Sequence, residues 1–247
     1  MQKNKSLKKG VVLFLILLLP SILYLLLTTG KHNFGILPVI GPKNVVETTN
    51  DNGDVITDTT YHTIAPFTLI NQFGEAFTEQ DLLGNVYVAD FFFTICPTIC
   101  PAMSANMKTL QDEFGKYNDF KLVSYTVWPE GDSAAALKEY GEKYQADFNT
   151  WSFITGDKSV IYDLAYTSYY CNAMADSTAP GGFLHSSYFV LVDKEGRIRS
   201  GIDSITKAVR AVYDGTSEAS MKALREDLRT LMFEYKVEKK KNNKYKQ

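Results

Sequence analysis

Cys96-Pro97-Thr98-Ile99-Cys100-Pro101 sets two thiols four residues apart. On a helix, residues at that spacing share a face and are separated by a rise of about 6 Å. This lies within the roughly 4.4–6.8 Å Cα spacing that a disulfide accepts. It also lets two thiolates converge on one soft metal ion, for which Cu(I) is the natural choice. A helix N-terminus carries positive potential, which stabilises a thiolate and lowers its pKa. A C-x-x-x-C spacing by itself also fits a structural disulfide or two cysteines on a helix face. The strand-to-helix placement described below and the two prolines, well tolerated in a first helical turn, argue for a working redox or metal pair.

Further groups bear on that chemistry. His185 closes Ala179-Pro180-Gly181-Gly182-Phe183-Leu184-His185; a neutral imidazole there could complete a Cys-Cys-His site for Cu(I) or Cu(II). From the residues alone, a strand-end histidine bonded to a carbonyl is an equal alternative. Asp90 stands six residues before Cys96. Buried, it would have a raised pKa and could shuttle the proton of the second thiol; at an open strand end it would be an ordinary carboxylate. Met103 and Met107 follow the cysteines at helical spacing and are read as core, with thioether ligation as the alternative. Cys171, the third cysteine, is read as a free thiol, a redox partnership with the pair being conceivable. His32 and His62 are read as structural or exposed.

The elements that must position these groups are legible in outline. Residues 85–93 form a continuous apolar run, the pattern of a central strand buried on both faces. A helix is expected over about 98–117 and a second strand over 120–127. A helix capped by Asp132 or Ser133 should run through 144, followed by a short strand at 151–155 and a helix over 158–170. Residues 187–192 and 197–202 flank Asp193-Lys194-Glu195-Gly196, a hairpin signal. A helix from 217 to about 236 closes the domain. Near its start, Pro66-Phe67-Thr68-Leu69-Ile70 and Glu75-Ala76-Phe77 flank a turn and predict an N-terminal β-hairpin. Parallel strands joined by helices and then an antiparallel hairpin describe an α/β fold, a thioredoxin-like sandwich. His185 is expected to open the strand before the hairpin, and in such a sandwich that end of the strand faces the cysteine-bearing helix.

The N-terminus predicts topology. Lys3, Lys5, Lys8 and Lys9 precede an apolar run from Val11 to Leu27, long enough for a spanning helix of roughly 17–25 residues. Basic residues stay on the cytoplasmic side. The reading is therefore a transmembrane helix within 1–30, with everything beyond Gly30 across the membrane. Thr28-Thr29-Gly30 offers no A-x-A cleavage pattern, which disfavours a removed signal peptide. A bacterial inner membrane with a periplasmic domain fits these features. Residues 31–60 read as a flexible tether, 61–236 as the domain and 237–247 as a Lys-rich tail. The net charge of −2 supplies no basic field for nucleic acid.

The cysteine string with its preceding Phe92-Phe93-Thr94-Ile95 resembles the copper site of the Sco/SenC family. Thr126-Val127-Trp128-Pro129-Glu130-Gly131-Asp132 is similar to that family's V-D-P-E-x-D, and Phe183-Leu184-His185-Ser186-Ser187 to its histidine loop. Val192-Asp193-Lys194-Glu195-Gly196 and Tyr213-Asp214-Gly215-Thr216 fit as well, so the resemblance spans about 66–231. It implies a membrane-anchored thioredoxin-fold protein that binds copper through Cys96, Cys100 and His185. It also implies a role in maturing the CuA centre of cytochrome c oxidase, with subunit II or another copper or thiol client as partner. Trp128 departs from the pattern, standing where the family carries Asp near the metal; altered copper affinity or release follows from that.

The alternative is a periplasmic thiol-disulfide reductase with no metal role. Asp90 favours it, because thioredoxins carry a buried Asp at the matching place. Pro180 disfavours it, because the thioredoxin cis-proline directly precedes its strand and Pro180 does not. A peroxiredoxin would need Thr and Pro where Phe93 and Ala89 stand.

Overall fold

The computed structural model describes residues 14–22, 36–49, 55–175, 183–203, 206 and 208–244. The chain divides into two units, Met1–Gly35 and Ile36–Gln247. In the first, residues 14–22 form a helix whose side chains are exposed. Among the described residues no helix is long and apolar enough to cross a membrane. The remainder of the expected span, and His32, lie outside them.

The second unit is built on the apolar run. Its residues form β5 (Val86–Phe92), buried at every position, which is what a strand covered on both faces requires. β6 (Phe120–Thr126) lies parallel to β5 in a register that pairs Phe92 with Thr126, and β7 (Trp151–Thr155) lies parallel to β6. The predicted hairpin forms β3 (Thr68–Asn71) and β4 (Ala76–Thr78), which joins the edge beyond β7. On the other side, β10 (Tyr188–Val192) runs antiparallel to β5, and β11 (Tyr213–Asp214) pairs with β10. The sheet order is β11-β10-β5-β6-β7-β3-β4.

Helix α1 (Cys100–Phe114) buries Cys100, Met103, Met107, Leu110 and Phe114, one face at helical spacing. Both methionines are therefore core residues. α2 (Ala134–Lys143) starts at a Ser133 cap that accepts from the Ala136 N–H. α4 (Glu218–Lys244) packs through Met221, Leu224, Leu228 and Leu231. It continues well past residue 236, so most of the expected tail is helical.

Four expectations are corrected. Within the expected 31–60 tether, the described residues 36–49 and 55–60 are not open chain. They dock Leu37, which is buried, and form an antiparallel hairpin of β1 (Lys43–Thr49) and β2 (Val55–Tyr61). Polar composition suggested a linker, but the Val and Thr content of these strands favours extended pairing. Residues 197–202 do not form a full strand beside β10. They make only isolated bridges, because the buried Asp193 carboxylate gathers Arg197 and Arg199 into one turn. Arg199 then reaches the Leu37 carbonyl and Glu234, tying the N-terminal arm to α4. The helix expected over 158–170 stops as α3 (Lys158–Asp163) and widens into a π-turn at Leu164–Ser168. Finally, His185 does not open the strand of the main sheet. It ends a separate short strand, β9 (Phe183–His185), paired with β8 (Ala173–Ala175). Pro180 lies outside the described residues.

Candidate metal centre

The site forms where three chain segments meet at the carboxyl ends of the parallel strands, the usual place for a ligand site in such sheets. β5 ends at Phe92, and the chain turns through Thr94 and Ile95 to Cys96. Pro101 follows Cys100 at the first turn of α1, where its missing N–H costs nothing. β10 is antiparallel to β5, with Val190 opposite Ala89. The segment before β10 is thereby carried back over the same end of the sheet, and His185 arrives beside the cysteines.

Cys96, Cys100 and His185 are all buried, and their ligand atoms lie within 4.8 Å of one another. The His185 Nε2 is 3.3 Å from Cys100 Sγ and 3.9 Å from Cys96 Sγ. On its other side His185 Nδ1 lies 3.2 Å from the Ser186 carbonyl oxygen. A carbonyl only accepts, so Nδ1 carries the proton and the Nε2 lone pair faces the sulfurs. Two soft sulfurs and one imidazole lone pair, sheltered from water, fit a thiophilic ion of the copper class.

The two thiols are unequal. Cys96 is drawn down to about 3, chiefly by a hydrogen bond from the Cys100 thiol, against the opposing effect of burial. Cys100 is pushed far up, because it donates to Cys96 and is the more deeply buried of the two. The pair thus holds one proton between them and presents Cys96 as the thiolate. Cys171 is buried and does not join the triad; burial pushes its thiol up to about 12.

Asp90 lies beneath the site, fully enclosed. It accepts a 2.5 Å hydrogen bond from Ser124 Oγ, which in turn accepts from the Trp151 indole N–H at 2.9 Å. Burial raises the Asp90 pKa to about 7, and its charge is felt by both His185 and Cys100. The structure therefore places Asp90 in the enclosed environment rather than at an open strand end. His62 is structural, its Nε2–H donating to the Ser168 carbonyl at 2.9 Å.

Sequence reasoning missed the role of Asp132. Ser133, not Asp132, caps α2. Asp132 is buried and accepts from the Thr94 N–H at 3.1 Å, the Thr94 hydroxyl at 2.5 Å and the Thr126 hydroxyl at 2.5 Å. One carboxylate thus staples the cysteine turn to the end of β6. Nothing in the local sequence signals a partner 38 residues away.

Two predictions follow from this geometry. Asp132→Ala strands three donors, the buried Thr126 hydroxyl and the half-buried Thr94 N–H and hydroxyl, and should lower stability in denaturant melts by roughly 3 kcal/mol; a loss under about 1 kcal/mol would show that the staple is dispensable. The second concerns Asp90. Its pKa is raised above its unfolded value, so the native state favours the protonated form. Its cost to folding is absent below about pH 4, grows as pH rises toward 7, and is constant above. Asp90→Asn should therefore raise the apo melting temperature at pH 8 and not at pH 4, by at most about 4 kcal/mol of stability. Equal shifts at both pH values would contradict the burial argument.

Comparison with known proteins agrees with the motifs. A family model for SCO1/SenC matches residues 56–219. A SCO1 protein homolog of Bacillus subtilis is 36% identical over 151 residues, covering 59% of this chain and 76% of that protein. Among solved structures, a SCO1/SenC family lipoprotein from Bacillus anthracis matches with a TM-score of 0.59 at 29% identity, covering 69% of this chain and 95% of that one. BsSco, described as a member of the Sco family of cytochrome c oxidase assembly proteins with a disulfide switch, matches with a TM-score of 0.57 at 30% identity, covering 69% and 93%. With both cysteines and the histidine of the resemblance converging on one point, the chain belongs to the SCO1/SenC family.

Proposed function

We propose that this protein binds copper as cargo through Cys96, Cys100 and His185 and serves the assembly of cytochrome c oxidase, with the copper-bearing subunit II as its client. The observation that carries the reading is the convergence of three ligand atoms within 4.8 Å in a buried pocket, with the imidazole tautomer already set for ligation. The link to oxidase assembly rests on family membership and on the description of BsSco. Copper would be held by the two sulfurs and the Nε2 lone pair. This chain contributes the preformed geometry: Ser186 orients the ring, Asp132 fixes the cysteine turn, and the low pKa of Cys96 keeps one thiolate ready.

A second reading is thiol–disulfide exchange on a client. It is favoured by the unequal thiols and by the buried Asp90, which could take or return the Cys100 proton. A thermal melt separates the two. At a hundredfold excess over the dissociation constant, bound copper should stabilise the wild type by about 2.7 kcal/mol. Cys100→Ser and His185→Ala should lose most of that gain while keeping apo stability. Equal copper-induced stabilisation in all three would reject the shared site and leave the reductase reading standing.

The setting proposed for this chemistry is outside the cytoplasm, with the domain held at a bacterial inner membrane by the N-terminal apolar segment. The four lysines before Val11 support that orientation. A reporter fused to the C-terminus should be active only on the periplasmic side. Activity confined to the cytoplasm would sink the topology.

A further inference from the structure

The ligand histidine stands on a weak element. β9 is three residues long, its ladder is with β8 alone, and neither strand belongs to the seven-stranded sheet. An isolated two-stranded pair of this size does not hold its own position in water. Something else must fix His185 against the sulfurs.

Phe183, two residues before His185, lies on the same face of β9. Its ring meets Phe93 at 5.4 Å and Trp128 at 6.0 Å between centroids, and Lys158 Nζ stands 5.8 Å over it. Phe93 in turn meets the His185 ring edge-on at 5.6 Å. Trp128 is the member of this group most firmly held from the other side. Its N–H donates to Thr126 Oγ1 at 3.0 Å, and its carbonyl accepts from the Gly131 and Asp132 N–H groups. Its indole lies flat against Gly131, where a Cβ would stand 2.2 Å from the ring. Gly131 is therefore the residue that lets the indole seat, and Thr126 is the same residue that Asp132 staples to the cysteine turn.

We propose that Trp128 is a positioning residue for the metal centre: through Phe183 it sets where His185 stands relative to Cys96 and Cys100. The chain of contact runs from the rigid end of β6, through the indole and the Phe183 ring, to the short strand that carries the imidazole. The two thiolates are placed by β5 and α1 and do not depend on it. The third ligand does. The inference rests on the copper reading of the triad.

The test is Cu(II) binding to the full chain, by chelator competition together with the thiolate-to-Cu(II) charge-transfer band. The variants are Trp128→Ala, Trp128→Phe, Gly131→Ala and His185→Ala. Trp128→Ala should weaken Cu(II) binding by about 10–100-fold, the range for residues that orient a metal ligand, and should shift the band. Trp128→Phe, which keeps a ring against Phe183, should recover most of both. Gly131→Ala keeps every ligand and the Trp128 side chain but displaces the indole from its seat, so it should produce the same band shift in smaller measure. It also decides the matter if Trp128→Ala does not fold. Wild-type affinity and band in Trp128→Ala and Gly131→Ala, alongside loss in His185→Ala, would overturn this inference and leave the triad intact. A Trp128→Phe variant as weak as Trp128→Ala would equally overturn it. Wild-type behaviour in His185→Ala would instead bring down the triad reading itself.

Discussion

The buried carboxylate of Asp132 joins the two segments on which the site depends. Thr94 sits two residues before Cys96, and Thr126 ends the strand that leads to Trp128. Both hydroxyls and the Thr94 N–H donate to that one side chain, which has no exposure to water. Hydrogen bonds to a charged acceptor are among the stronger neutral-pH contacts in a protein, and leaving their donors buried and unpaired is costly. The parallel register that pairs Phe92 with Thr126 brings these two chain ends level. The carboxylate then makes them one rigid unit, and the position of Cys96 follows from it.

The chemistry of the dithiol follows from where each sulfur sits. Cys96 lies in the turn and accepts; Cys100 lies in the first turn of α1, deeper, and donates. His185 closes the pocket over both sulfurs, its Nε2 nearer Cys100 than Cys96. Asp90 is enclosed below, held by the Ser124 hydroxyl that the Trp151 indole also reaches. A buried acid of raised pKa next to a buried thiol of raised pKa stores a proton close to where disulfide formation would release one. A soft ion and a disulfide therefore compete for the same two sulfurs. The histidine is the group that only the metal requires.

Support for the site reaches to the N-terminal arm. Asp193 is fully buried and accepts from Arg197 and Arg199, and Arg199 passes on to Glu234 and the Leu37 carbonyl. A buried charge of this kind is tolerated only when it is paired on every side. The network locks the turn after β10, the start of the domain and α4 into one body. β10 is the strand whose antiparallel pairing with β5 returns the chain to the cysteines, so the network also bears on where His185 is delivered.

The sequence by itself determined the elements and the two sulfurs. The apolar run at Val86–Phe92 has the pattern of a doubly covered strand, and the four-residue spacing marked Cys96 and Cys100 as a pair at the strand-to-helix junction, although Cys96 lies in the turn before α1 rather than on the helix face. These are local facts, set by periodicity and by backbone geometry over a few residues. The same logic read the β3–β4 hairpin, α1 and α2 close to where they lie. It failed where composition and propensity disagreed. The polar stretch before Tyr61 suggested a tether, yet its Val and Thr residues pair as β1 and β2. It failed also at Arg197–Ile202, where a buried ion network overrode an extended pattern. Only the tertiary structure decided His185. Its sequence neighbours leave ligand and strand-end roles equally open, and the choice is made by an antiparallel register with a strand just over a hundred residues earlier. The roles of Asp132 and Phe183 were out of reach for the same reason, and Trp128 was marked only by its departure from the family pattern, not by its contact with Phe183: no local pattern encodes a contact that exists only once the sheet has formed.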